Sequence, residues 1–380
     1  LPTEIGFGST EFHVLRANPS ISPQFLYRLT TVAEFRQLGA DAMTGAAGQQ
    51  RVPQTFIANY PIALPPFPEQ AAIVRFLDYM DWRSRHYIRA KQTLIKLLEE
   101  QKQAIIHHAV TRGLDPNVRL KPSGVEWLGD VPEHWHKLAI QQIAAKTRWA
   151  IVNGPFGSDL LTSELQTTGV SVVYIRDISS GEYRRVSSVC VTSTKAAALS
   201  FCKVQPGDIL IAKVGDPPGT AATYPLDEPE AIITQDVVRI RPDKTRILPA
   251  YLAMFLNSRA GRSVVGQIVV ESTRGRFSLA DFKGLRVILP PLDEQVRICD
   301  EIKESTRPIL IAASRAMREI DLLREYRTRL IADVVTGKLD VGGVELPEVE
   351  EVEAQEDWDQ DADAEAEEIA DVEEAVDADE

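Results

Sequence analysis

Apolar residues recur at three-, four- and seven-residue steps along two long stretches of the chain. In the first, Ile73, Leu77, Met80, Tyr87, Leu94, Leu98 and Ile105 keep this spacing, and neither Gly nor another Pro occurs between Pro68 and Arg112. Such spacing predicts one long helix packing along a single seam, coiled-coil fashion, and Pro68 suits its first turn because no N–H is needed there. Some 44 residues at about 1.5 Å each give a rod of roughly 66 Å, the length of a spacer. The second stretch matches in kind: Ile298, Ile302, Ile320, Leu323, Leu330 and Ile331 stand 225 positions beyond Ile73, Leu77, Ile95, Leu98, Ile105 and Ile106. A seam present twice predicts that the two helices pack on each other, and because a whole domain joins them, an antiparallel pair. Pro308 predicts a kink or interruption in the second helix. Between the helices the pattern changes to short alternating or apolar runs (170–175, 209–214 and 231–240) separated by Gly, Pro and Ser turns, with a helical pattern near 250–257. The expected fold is mixed α/β.

The repeat is specific at the level of letters. Leu64-Pro65-Pro66-Phe67-Pro68-Glu69-Gln70 recurs as Leu289-Pro290-Pro291-Leu292-Asp293-Glu294-Gln295, and the offset of 225 holds without a gap to 110–115 against 335–340. A weaker likeness continues upstream, Phe12-His13-Val14-Leu15-Arg16 matching Val237-Val238-Arg239-Ile240-Arg241 and Pro23-Gln24-Phe25-Leu26 matching Pro249-Ala250-Tyr251-Leu252, with one residue of slippage before Arg51 realigns with Arg276. Carried back, Leu1 falls opposite Leu226, so the first copy is expected to lack a counterpart of 116–225. The organisation expected is a remnant of a first domain at 1–67, a helical spacer at 68–115, a second domain at 116–291, a second spacer at 292–341 and an acidic tail at 342–380.

Charge alters the picture only once its distribution is known. The net charge is −13, but 342–380 holds 19 Asp and Glu and no Lys or Arg, leaving 36 acids against 42 bases before it. The folded part is therefore basic enough to meet phosphate, and the tail has the composition of a disordered, solvated segment, with mimicry of DNA charge as the alternative. Cys190, Cys202 and Cys299 are scattered and suggest neither a disulfide framework nor a zinc site. No apolar run approaches the roughly 18 residues of a membrane span, and the first residues carry no export pattern, so a cytoplasmic protein without a membrane partner is expected.

Turn-rich segments at 153–158 and 215–220 are where chemistry would sit. Ser158, Tyr174, Arg176, Arg184, Arg185, Lys213, Asp216, Arg274 and Arg276, with Arg51 in the first copy, are the candidates for DNA contact. Lys and Arg neutralise phosphates, while Arg, Ser and Asp also read base edges. Catalytic readings fit poorly. Asp216-Pro217-Pro218-Gly219 resembles an amino-methyltransferase loop, but glycine stands where an aromatic must stack on a flipped base. In Asp208-Ile209-Leu210-Ile211-Ala212-Lys213 the second carboxylate of a nuclease site is missing, and the pairs His107-His108 and His134/His136 have no partners at zinc-like spacing. The chain reads as a binder.

The repeated Leu-Pro-Pro motif, together with Ser123-Gly124-Val125-Glu126-Trp127-Leu128-Gly129-Asp130-Val131-Pro132-Glu133-His134-Trp135 and Pro206-Gly207-Asp208-Ile209-Leu210-Ile211-Ala212-Lys213-Val214-Gly215-Asp216, resembles the specificity subunits of type I restriction-modification enzymes over about residues 9–341. The resemblance implies a non-catalytic subunit with two target-recognition domains joined by two long antiparallel helices, each domain reading half of a split site in double-stranded DNA. It also implies that the helices, here through Ile73, Leu77, Leu98, Ile105, Leu323 and Leu330, set the half-site spacing and dock modification subunits, with a restriction subunit completing the complex. S-adenosylmethionine, ATP and magnesium are then expected on those partners and no cofactor here. The chain departs from the family pattern in the short first domain and in the acidic tail. The competing reading is an interaction or decoy protein that docks modification subunits without full site recognition.

Overall fold

Ten α-helices run through the residues that the computed structural model describes, 12–45, 50–124, 128–157, 159–270 and 274–347. They are α1 (Pro23–Thr31), α2 (Ala33–Asp41), α3 (Gln54–Asn59), α4 (Phe67–Arg112), α5 (Ile140–Ile143), α6 (Ser193–Ala198), α7 (Pro249–Asn257), α8 (Arg259–Gly266), α9 (Leu279–Gly284) and α10 (Leu292–Val335). The two long helices of the sequence pattern are α4, with 46 residues, and α10, with 44. Pro68 lies in the first turn of α4, and Gly113, at φ +73°, closes it in the left-handed conformation that a glycine adopts without strain. α10 runs through Pro308 without a break, so the expected interruption is absent: proline removes one N–H, but burial of the apolar stripe on both sides of it outweighs that loss.

Contacts divide the described residues into two compact units, one formed by those up to Lys96 together with those from Ala313 on, the other by those within Leu97–Ala312. Each long helix contributes to both. In the first unit α4 and α10 lie antiparallel, as the pairs Asp81–Arg327 (2.8 Å) and Lys91–Glu319 (2.7 Å) require. Its core joins Ile73, Leu77, Leu330, Ile331 and Val334 to Ile21, Phe25 and Val32 of the α1 region. Arg28, buried against this core, donates to Asp81 and Asp78, and Arg327 binds the other oxygen of Asp81.

The second unit holds two four-stranded sheets. One, ordered Ala221–Thr223, Ile209–Ala212, Val237–Ile240 and Ile151–Asn153, is antiparallel throughout. The other, ordered Cys190–Val191, Val170–Val173, Ala231–Ile233 and Lys203–Val204, contains one parallel pair, Ala231–Ile233 on Val170–Val173. The apolar run 231–240 is thus two strands in two sheets, with Thr234, Gln235 and Asp236 forming the turn between them. α7, α8 and α9 pack beside Ala109, Val110, Ile298, Cys299 and Ile302 of the long helices in one apolar cluster.

The two units repeat each other closely where both are present. α1, α2 and α3 correspond to α7, α8 and α9, and the bridge Thr44–Arg51 corresponds to the pair Val270–Arg276. The offset is 226 from Pro23 to Thr44 and 225 from Arg51, so the return to the original register falls between these bridged residues. The repeated motif has a physical reason. Gln70 is fully buried, donates from Nε2 to the carbonyls of Ser20 (3.0 Å) and Pro65 (2.9 Å), and accepts from the Ser22 N–H (2.8 Å). Gln295 does the same with Arg246 (2.9 Å), Pro290 (3.0 Å) and the Leu248 N–H (2.8 Å). In each copy a single amide closes three main-chain groups at the junction where a long helix begins, which an apolar residue could not do.

Candidate nucleic-acid interface

Four chain segments leave the strands of the second unit at one end and are tied together by main-chain bonds. The Thr234 N–H donates to the carbonyl of Val173 (3.1 Å), the Gly154 N–H to that of Thr234 (3.1 Å), and the Lys213 N–H to that of Asp236 (2.8 Å). The loops after Asn153, Val173, Ala212 and Ile233 therefore meet around the 234–236 turn. Gly154 lies so close to it that a Cβ would stand 2.1 Å from the Ile233 carbonyl oxygen, which accounts for glycine there.

Beside this turn, the strand Val214–Gly215 pairs with Gly275–Phe277, with Arg276 opposite Val214 and Gly275 opposite Gly215. One step further along the same register sets Arg274 opposite Asp216. The 216–219 loop returns to the sheet through Gly219 N–H to Ala212 O (2.8 Å) and Ala212 N–H to Thr220 O (2.8 Å), with Arg262 donating to the Pro217 carbonyl (3.3 Å). Asp216, Arg274 and Arg276 are exposed and Lys213 is half-buried, so one acid and three cations of the 213–216 and 274–276 segments lie beside the 234–236 turn.

Tyr174 and Arg176 follow the parallel strand. Arg176 lies over the Tyr174 ring at 5.2 Å and donates from Nε to Ser187 Oγ (2.8 Å); burial raises the Tyr174 phenol. Buried Asp177 organises the loop beyond, accepting from the N–H groups of Tyr174, Val186 and Ser187 at 2.8–2.9 Å. Arg184 is exposed and meets Glu182 at 3.4 Å, while Arg185 approaches Cys190 Sγ at 3.6 Å. Arg51, the counterpart of Arg276, belongs to the other unit, and Ser158 lies outside the described residues.

Other polar residues of the motifs are structural. Asp208 is buried, accepts from the Gln205 N–H (2.9 Å) and binds Arg241 through both oxygens (3.0 and 3.2 Å). Arg239, on the strand between the two neighbours it shares with Ile209–Ala212 and Ile151–Asn153, donates to the carbonyls of Lys203 and Trp149, and burial lowers its pKa to about 10. Lys203 pairs with Glu230, and His134 and Trp135 both bond Glu294, at 2.7 and 3.2 Å. Of the helix residues singled out by periodicity, Ile73, Leu77 and Leu330 are buried in the core of the first unit, and Leu98, Ile105 and Leu323 are half-buried. Two more of the periodic residues, Tyr87 and Leu94, are exposed, as are Leu97, Met317, Leu322 and Tyr326 of the same helices.

A profile of the type I restriction modification DNA specificity domain matches residues 4–97 and 168–314. The chain belongs to this family. Among curated members of the specificity family it is similar to the EcoEI specificity subunit of Escherichia coli, 38% identical over 102 residues, or 25% of this chain and 17% of that one. It is also similar to the EcoKI specificity subunit of Escherichia coli K12, 24% identical over 315 residues, 80% of this chain and 62% of that one. The chain thus spans less than two thirds of the length of these two relatives. A solved chain from work on the complex assembly and conformational transition of the type I R-M system shares the fold, with a TM-score of 0.62, 19% identity and coverage of 86% of this chain and 74% of that one. Among the described residues no helix is long and apolar enough to cross a membrane.

Proposed function

We propose that the chain is the DNA sequence-recognition subunit of a type I restriction-modification complex and has no catalytic centre of its own. Membership of the specificity family carries this reading, and the gathered loop end of the second unit supports it chemically: exposed Arg274 and Arg276 with Lys213 meet phosphate, beside side chains able to read base edges. The segment 116–291 acts as a recognition domain for one half of a split site in double-stranded DNA, and 1–67 stands for the other domain in this sequence. Modification subunits dock on α4 and α10, where Tyr87, Leu94, Leu97, Met317, Leu322 and Tyr326 offer exposed apolar area, and a restriction subunit completes the complex in the cytoplasm. S-adenosylmethionine, ATP and magnesium belong to those partners.

The test is co-purification with the modification subunits of the same system, followed by methylation mapping on random-sequence DNA. A split adenine-methylated motif is the expected result, and a half-motif would mean that 116–291 reads alone. Stable association without any motif would replace recognition with the docking-only reading, and absence of association would overturn the assignment.

A further inference from the structure

The turn at 234–236 is held entirely by its main chain and by one hydroxyl. Thr234 Oγ1 donates to the Val173 carbonyl (3.2 Å), and the bonds from Gly154, Lys213 and Val237 all end on main-chain oxygens of the turn. Gln235 is partly exposed and Asp236 exposed, and neither side chain has a hydrogen-bond or ion-pair partner among the described residues. That is unusual for an acid in a tight turn, where Asp ordinarily earns its place by accepting a main-chain N–H. Elsewhere in the same domain the rule is kept: Asp177 accepts from Val186 N–H, Asp208 from Gln205 N–H and Asp243 from Thr245 N–H. The strands on either side, Ala231–Ile233 and Val237–Ile240, are buried at every position, so the turn is presented on a rigid base.

Electrostatics sharpens the point. A carboxylate beside the 213–216 and 274–276 segments, on a surface offered to DNA, repels phosphate and weakens binding to any sequence. It contributes to binding where it accepts from an amino group on a base edge. Resting on the recognition reading above, we infer that Asp236 and Gln235 are specificity-determining residues, Asp236 accepting from an exocyclic amino group of cytosine or adenine and Gln235 pairing with a purine edge in the major groove.

The experiment selects bound DNA from a pool of random-sequence duplexes, using the full chain together with its modification subunits, and compares it with Asp236→Ala, Asp236→Asn and Gln235→Ala; Arg184→Ala serves as a phosphate-type comparison. Each turn variant is expected to lower base preference at one or two positions by roughly 5- to 150-fold. Removing the Asp236 charge should leave affinity for non-specific duplex unchanged or tighter, a result that a purely structural or phosphate-contacting residue does not give. Thermal melting of each variant confirms folding, and Asn keeps the turn preference while adding donors, so it should alter the preferred base rather than erase binding. A motif unchanged at every position, or an equal loss on all duplexes, overturns the inference while leaving the recognition reading intact. If the unaltered protein enriches no motif, recognition itself fails and this inference with it.

Discussion

Replacing Gln295 by Leu tests whether the repeated motif is a lock on the helix junction. The side chain is fully buried and serves three main-chain groups, the Leu248 N–H and the carbonyls of Arg246 and Pro290. Leucine fits a similar volume but leaves these groups without their partner and out of reach of bulk water. At roughly 1–3 kcal/mol for a buried unsatisfied group, partly offset by the apolar gain and by local relaxation, the expected cost is about 2–5 kcal/mol. For a unit of the size of Leu97–Ala312 this corresponds to a drop of roughly 5–15 °C in Tm. Gln70→Leu should cost a similar amount through Ser20, Ser22 and Pro65. Because the two amides have no shared partner, the double variant should show additive losses. Calorimetry and urea unfolding of the full chain read the effect. A Tm change below about 2 °C for either variant would refute the argument, since it would mean that the main-chain groups find other partners at no cost.

Further outcomes follow from other contacts. Burial alone would raise the Asp81 carboxyl, but hydrogen bonds from Arg327 and Arg28 outweigh it and hold the group below the usual carboxylate range. Its contribution is therefore complete above the unfolded pKa of about 3.9 and fades as pH falls through the lower folded value. Asp81→Asn should cost about 3–5 kcal/mol near neutrality, with the gap to the parent closing in acid, as measured by denaturant unfolding across pH. Arg276→Ala should weaken binding to all duplexes and reduce the slope of log affinity against log salt by about 1, as measured by fluorescence anisotropy over a salt series. Burial raises the thiols of Cys202 and Cys299 to about 11, so neither should react with a thiol reagent at pH 8 until the protein is unfolded, a contrast that mass spectrometry after alkylation reads directly.

The long helices were legible because periodicity over more than forty residues leaves little ambiguity, and the motif was legible because its second copy keeps the same register. The run 231–240 was not. A strand buried on both faces has no alternation to read, so two such strands in succession look like one, and only the polar letters of Thr234-Gln235-Asp236 mark the break. Pairing of Ala231–Ile233 with Val170–Val173 is a contact between distant segments that local pattern does not encode. For the same reason the sequence offered Lys213, Asp216, Arg274 and Arg276 as separate candidates, and it is the short sheet joining Val214–Gly215 to Gly275–Phe277 that places them side by side. Periodicity likewise located the helix seams but did not separate side chains committed to the protein's own core, such as Leu77, from those left outside it, such as Leu97.

The segment between Thr44 and Arg51 is one residue longer than its counterpart between Val270 and Arg276, and an antiparallel backbone pairing closes each of them. A difference in length between two copies is more disruptive than a difference in letters, because an inserted residue inside a helix turns everything beyond it by about 100°. Here the difference in length falls between two bridged residues, and the helices before and after it keep their counterparts in the other copy. The bridge works as an expansion joint: the segment it closes can differ in length between the two copies while the elements on either side keep their correspondence.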